Sequence, residues 1–247
     1  GFRYSRSVVW RVDLMIKNIN LGRFQKLRTS LNCHKSLILS FLLGFMVRLV
    51  PEVLSYPYPI GFDTIFYAAR ISDGVIWYHW TSLFSTWLLY AFLIPLNGIL
   101  KNPFLLLKLA SPFIFGLNSS GIYYFATSAL GWNSRKGLMT SFFFAFSMAS
   151  LGLSWHFHKN MLGLAILLFA LPSIVKIDTK RSYLWSFWLS VLVVFSHEYA
   201  SVIMFAVVFA WLGNHLLKKE KRDSLKLLIA ISFTFSVFLI SIYLMLF

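Results

Sequence analysis

The sequence predicts an all-α membrane protein that crosses the bilayer about seven times. Three observations carry that expectation. First, 58% of the 247 residues are hydrophobic, 19% are aromatic and only 13% are charged. A soluble globule uses about 25% charged residues, so lipid must be the main solvent of this chain. Second, apolar stretches recur near 36–50, 81–100, 104–130, 137–155, 160–175, 183–197, 199–216 and 225–247. A helix needs about 20 mainly apolar residues to cross the hydrocarbon core, fewer where the bilayer thins. Third, the 23 Lys and Arg residues gather in a few segments between those stretches. A net charge of +15 would suit a nucleic-acid binder, but its distribution argues against one. The single Cys33 excludes an internal disulfide framework and a cysteine-based zinc site.

The basic segments set the topology. Eight cations (Arg3, Arg6, Arg11, Lys17, Arg23, Lys26, Arg28, Lys35) lie in the first 35 residues, and three short loops follow at 133–136, 176–181 and 218–222. Short basic loops favour the cytoplasmic side, so all four segments should face it. An even number of spans must then separate the tail from the 133–136 loop. Three apolar stretches lie between them, so one is not a simple span. The stretch 81–100, broken by Pro95, Asn97 and Gly98, is taken as that exception, lying along the outer leaflet or dipping in and returning.

The remaining elements then alternate. A basic cytoplasmic tail, 1–35, precedes a transmembrane module, 36–247. Within it 36–50 leads out, 51–103 is external, 104–130 returns, 137–155 leads out, 160–175 returns, 183–197 leads out, 199–216 returns and 225–247 leads out. About 18 of the 23 cations fall inside, whereas Glu52, Asp63, Asp73 and Glu198 fall outside. The localisation expected is the cell membrane, with the N-terminus cytoplasmic and the active face external. Residues 8–27 suit an amphipathic interfacial helix, with Val8, Val9, Val12, Met15, Ile16 and Ile19 on one side. The tail reads either as a topogenic segment on anionic headgroups or as an RNA- or lipid-binding arm. The start at Gly1 and the stop at Phe247 without a polar flank suggest a piece of a longer protein.

The external segment is unlike the rest. Pro51, Pro57 and Pro59 forbid a regular helix between them, and Gly61 relaxes the backbone just before Asp63. Helical periodicity resumes through Ile65, Phe66, Ala69 and Ile71, which puts Asp63 at a helix start. There it can serve as an N-cap or carry chemistry. A basic tail, one span, a proline-rich external loop with Asp63 just past it, and an external helical hairpin resemble the N-terminal half of GT-C membrane glycosyltransferases. Oligosaccharyltransferase catalytic subunits and protein O-mannosyltransferases belong to that superfamily. Residues 103–131, the tight basic loop 133–137 and residues 142–155 resemble its second and third spans.

The resemblance implies a GT-C-like fold: seven spans and a first external loop with membrane-parallel helices. It implies transfer of a sugar from a polyprenyl-phosphate donor to an acceptor on the external face, and so an enzyme. Asp63 matches the catalytic residue, either as base or as ligand of a divalent cation, Mg or Mn. Two departures stand out. The second external loop, Ser154 to Asn160, carries no carboxylate, and the further C-terminal half of these proteins has no counterpart. Membrane lipid, the polyprenyl-phosphate sugar and other membrane subunits are the partners implied; nucleic acid is not.

Other polar residues are candidates for the same face. Arg70, two turns after Asp63, can clamp a donor phosphate or pair with Asp73. Lys159 can contact a phosphate or snorkel to the interface. His156 and His158 can relay a proton or bind metal, although i,i+2 spacing puts them on different faces. His197 and Glu198 interrupt two apolar stretches, the pattern of a functional pair or of a plain turn. Glu52 is an accessory candidate. Trp77, Tyr78, His79 and Trp80 read as an aromatic belt. Asn118-Ser119-Ser120 matches a glycosylation acceptor but falls inside a span. The alternative function is a non-catalytic or truncated GT-C-like subunit with a scaffolding role, since a fold does not imply an activity. A transporter reading is disfavoured because the polar residues gather at one face.

Overall fold

The computed structural model describes residues 34–175, 180–218 and 221–246. The basic tail up to residue 33, the interfacial helix expected over 8–27, and residues 176–179 and 219–220 of the basic loops lie outside the described residues. All regular structure among the described residues is helical. The elements are α1 (His34–Leu54), α2 (Thr64–Asp73), a short 3-10 helix (Trp80–Phe84), α3 (Leu88–Leu100), α4 (Pro103–Ser128), α5 (Ser134–Phe146), α6 (Met148–His156), α7 (His158–Val175), α8 (Lys180–Ser196), α9 (Glu198–Leu217) and α10 (Lys221–Leu246).

Local chemistry explains the helix starts. Asn102 Oδ1 accepts the Leu105 N–H at 3.0 Å, and Pro103 occupies the first helical position of α4. Asn133 caps α5 in the same way, accepting the Lys136 N–H at 2.9 Å. Ser147 leaves the helical region (φ −70, ψ 126), and α5 and α6 meet there at a 60° bend. The segment 81–100 holds only the 3-10 helix and α3. At 13 residues α3 is about 20 Å long, well short of the hydrocarbon core at about 30 Å.

The expected spans correspond in order to α1, α4, the α5–α6 pair, α7, α8, α9 and α10. Three helices, over His34–Leu54, Pro103–Ser128 and Leu227–Leu244, are long and apolar enough to cross a membrane, and the bent pair makes up to four. The apolar parts of α7, α8 and α9 are shorter.

Two apolar clusters hold the bundle together. One, including Ile174, Val193, Met204, Val208, Leu227 and Ile231, joins α7, α8, α9 and α10. The other, including Ile71, Leu89, Leu107, Phe115 and Met161, seats α2 and α3 on α4 and α7. Small polar side chains cross-link the helices, as expected where lipid supplies no hydrophobic drive between them. Asn118 Nδ2 donates to the carbonyls of Ile114 (2.9 Å) and Met161 (2.8 Å), tying α4 to α7. Ser119 and Ser141 share a 2.7 Å hydrogen bond between α4 and α5. Asn118 is fully buried, so the glycosylation match is inaccessible.

Helix α1 lies close to α4 because Gly116 faces Phe41. A Cβ there would stand 2.9 Å from both the Phe41 ring and its carbonyl oxygen. Gly116→Val is therefore expected to cost about 1–3 kcal/mol by overpacking. Thermal unfolding in detergent checks this: a melting temperature equal to wild type would show that α1 does not pack on α4 at this point.

Candidate functional site

The segment between α1 and α2 is built onto the C-terminal end of α6. After α1 ends at Leu54, a turn closes with the Tyr58 N–H donating to the Ser55 carbonyl at 2.8 Å. The chain then reaches Gly61 at φ +92, in the region that favours glycine. A side chain at 61 would collide with the backbone of Trp155, with a Cβ only 1.8 Å from its carbonyl oxygen. The next N–H, of Phe62, donates to His156 Nδ1 at 3.1 Å. The loop between α1 and α2 is thus fastened to the joint between α6 and α7 by one glycine contact and one histidine bond. His156→Ala is expected to loosen this joint. Losing a bond worth about 1 kcal/mol should raise hydrogen exchange across 60–64 roughly fivefold, and unchanged protection would sink the idea.

Asp63 stands at the start of α2 but does not cap it. Its backbone is helical (φ −75, ψ −10), its side chain makes no capping bond, and its carbonyl takes the Tyr67 N–H at 3.1 Å. The half-buried carboxylate has no hydrogen-bond partner among the described residues. One turn on, the buried Tyr67 phenol is raised above its ordinary pKa by burial, then by Tyr90, so it stays protonated. Lys159, at the start of α7, lies within electrostatic reach of Asp63, Arg70 and Glu198.

His197 and Glu198 form the joint between α8 and α9. His197 Nδ1 accepts the Tyr199 N–H at 3.2 Å and so caps α9. An accepting Nδ1 carries no proton, so its 3.6 Å approach to Glu198 Oε2 is not an ion pair in this state. Burial lowers the His197 pKa against the pull of Glu198, with Lys159 adding to the lowering. The ring is therefore neutral at pH 7. Glu198 accepts the Ser85 hydroxyl at 3.3 Å. Asp63, Lys159, His197 and Glu198 are thus brought to one region, joined by Ser85 and Tyr67, which the sequence did not single out.

Three expected site residues are placed differently. Arg70 is turned onto its own loop: Nη2 donates to the Ile76 carbonyl at 2.6 Å, and the guanidinium stacks on Tyr90, 3.9 Å from its centroid. It pairs with neither Asp73 nor an open cavity. His158 is 2% exposed, with Nε2 2.6 Å from Ser111 Oγ and its ring edge-on to Tyr67. Helix α6 ends at His156 and α7 begins at His158, which sends the two imidazoles to different surroundings.

Glu52 is the third, buried between two cations. Arg48 Nη2 lies 2.6 Å from its Oε1, and Lys108 Nζ donates to its Oε2 at 3.1 Å. Lys108 also donates to the Glu52 carbonyl (3.1 Å) and to Ser55 Oγ (2.7 Å). The Arg48 contact is close but not aligned as a hydrogen bond, and Nε and Nη1 find no partner among the described residues. This triad clamps the end of α1 to α4, just before the loop that carries Asp63. The i,i+4 spacing of Arg48 and Glu52 was a readable signal for it, and so was a lone Lys108 in an apolar span.

Among the described residues, no three His, Cys, Asp or Glu side chains come together to hold a metal ion. Asp63 is a single carboxylate with a lysine for company, a donor set that does not fit a divalent cation held by protein alone. Comparisons with family models, with characterised proteins and with solved structures return nothing that matches this chain.

Proposed function

We propose that the chain is a seven-span membrane glycosyltransferase module, of GT-C type, that uses a polyprenyl-phosphate sugar on the external face of the cell membrane. The observation that supports it most is the state of Asp63. The carboxylate sits at a helix start without capping it, half-buried, in electrostatic contact with Lys159 and between two fastened loops. A helix start stabilises a carboxylate, so leaving this one without a bond is informative.

In the proposed reaction Asp63 takes the proton of an acceptor hydroxyl. The hydroxyl oxygen bonds to the anomeric carbon, and the bond from that carbon to the donor phosphate breaks. The electron pair leaves with the polyprenyl phosphate. Lys159 offsets the charge that builds on the departing phosphate. Arg70 serves this site by holding the 74–79 loop rather than by clamping phosphate.

The test incubates membranes carrying wild type or Asp63→Asn with polyprenyl-phosphate sugars extracted from the source organism. Donor consumption by wild type alone supports the reading. Consumption by neither chain favours the scaffolding alternative.

A further inference from the structure

A small cavity includes Ser85, whose hydroxyl is bound to Glu198 of this site. One wall is the 3-10 helix with the two residues after it, and the other is the C-terminal part of α10. The cavity measures about 110 Å³ and is lined by Thr81, Ser82, Ser85, Thr86, Ser241 and Leu244. Five of these six residues carry a hydroxyl, in a chain that is 58% hydrophobic. We propose that this pocket binds one edge of a neutral carbohydrate, so that the acceptor of the transfer reaction is a glycan. The assignment of the ligand as acceptor rests on the glycosyltransferase reading above.

Four of the five hydroxyls are free to bind, the exception being Ser85, which donates to Glu198. Several helical Ser and Thr in the bundle donate back to their own helix, as Ser111, Ser186 and Thr234 do, whereas the buried Ser40 hydroxyl makes no bond among the described residues. Ser241 also sits in a helix and is only 3% exposed, yet its hydroxyl has no partner among the described residues. Its oxygen stays open to the pocket, where a ligand or water can satisfy it. The hydroxyls of Thr81, Ser82 and Thr86 are likewise unpartnered among those residues. Thr86 is held at φ 58, a left-handed conformation unusual for a β-branched residue and of the kind found at binding sites.

The chemistry of the walls selects the ligand. A hydroxyl both donates and accepts, and so does its natural complement, another hydroxyl. Neither a cation nor a carboxylate lines the pocket, which disfavours phosphate on one side and a metal ion on the other. The volume corresponds to nearly four waters at roughly 30 Å³ each, enough for two or three hydroxyls on one edge of a sugar ring. Ser85 belongs to the pocket wall and also donates to Glu198, so the pocket adjoins the region of His197, Lys159 and Asp63. A glycan held there by one edge can present a further hydroxyl toward Asp63.

The test is equilibrium dialysis on the full chain in lipid nanodiscs. The probes are radiolabelled neutral disaccharides (maltose, cellobiose and mannobiose), an Asn-containing peptide and inorganic phosphate. Saturable binding of a disaccharide is expected, with none for peptide or phosphate. The Thr81→Val/Ser241→Ala double variant should bind about tenfold more weakly or worse, as two lost hydrogen bonds imply, while melting as wild type does. Phosphate or peptide binding in place of sugar overturns the proposal, as does disaccharide binding that the double variant leaves unchanged. Asp63-dependent donor consumption with no disaccharide bound sinks the glycan assignment alone. Hydroxyl-dependent sugar binding with no donor consumption upholds the pocket and sinks the transferase.

Discussion

Asp63→Asn is expected to reduce donor consumption by about a hundredfold or more, with the chain still folded in the membrane. General base catalysis contributes roughly 10²–10⁴-fold, and an amide cannot take the proton. The substitution separates the two roles open to a residue at a helix start. Asn is as good an N-cap as Asp, so a purely capping residue would tolerate the change. The structure already removes one of these roles, because the Asp63 side chain makes no capping bond. A variant that consumes donor at the wild-type rate would dismiss Asp63 as the base. The fold would stand, and the search for a base would move to Glu198, which is bound by Ser85.

Glu52→Ala is expected to destabilise the protein by about 3–5 kcal/mol, the typical cost of removing one partner from a buried ion pair. Arg48 is fully buried and Lys108 is 6% exposed, so the change would leave two cations without a counter-charge. Arg48 already has donors without partners, which should place this variant toward the upper end of that range. Replacing all three with apolar residues (Arg48→Met, Glu52→Leu, Lys108→Met) should restore most of the stability, since a buried triad offers little over a well-packed apolar core. Thermal unfolding in detergent reads both. A Glu52→Ala chain that melts with wild type would show that the triad does not clamp α1 to α4. The triple variant carries a further point. If it is stable but slow in donor consumption, the triad also sets the position of the loop bearing Asp63.

How much of the site was legible depended on the kind of signal. Asn102-Pro103 and Asn133 start α4 and α5 by local hydrogen bonding, a signal present in the sequence that was not drawn on. The polar island at 196–199 marks a joint because apolar helices cannot carry it at depth. Asp63, His197 and Glu198 were readable as polar residues at one face, and Gly61 as the hinge before Asp63. The direction in which a side chain turns was not readable. Arg70 had Asp73 at i+3 and a phosphate to choose from, and it took the carbonyls of Val75 and Ile76 instead. Those carbonyls are exposed by a loop whose shape no local rule specifies. His158 read as a residue of the outer loop, yet packing of α2 and α7 on α4 buries it, and the same packing with α1 buries Lys108.

By itself the sequence determined that the chain is helical and that its helices are apolar enough to suggest a membrane protein. These follow from composition and periodicity, whose energies add up along the chain over a few residues. The tertiary structure alone decided that Glu52 faces two cations, that His156 holds the backbone at Phe62, and that hydroxyls from 81–86 meet Ser241. Each joins residues tens to more than a hundred positions apart or selects one of several competing partners. Such choices are settled by the packing of whole helices, which no window of the sequence contains.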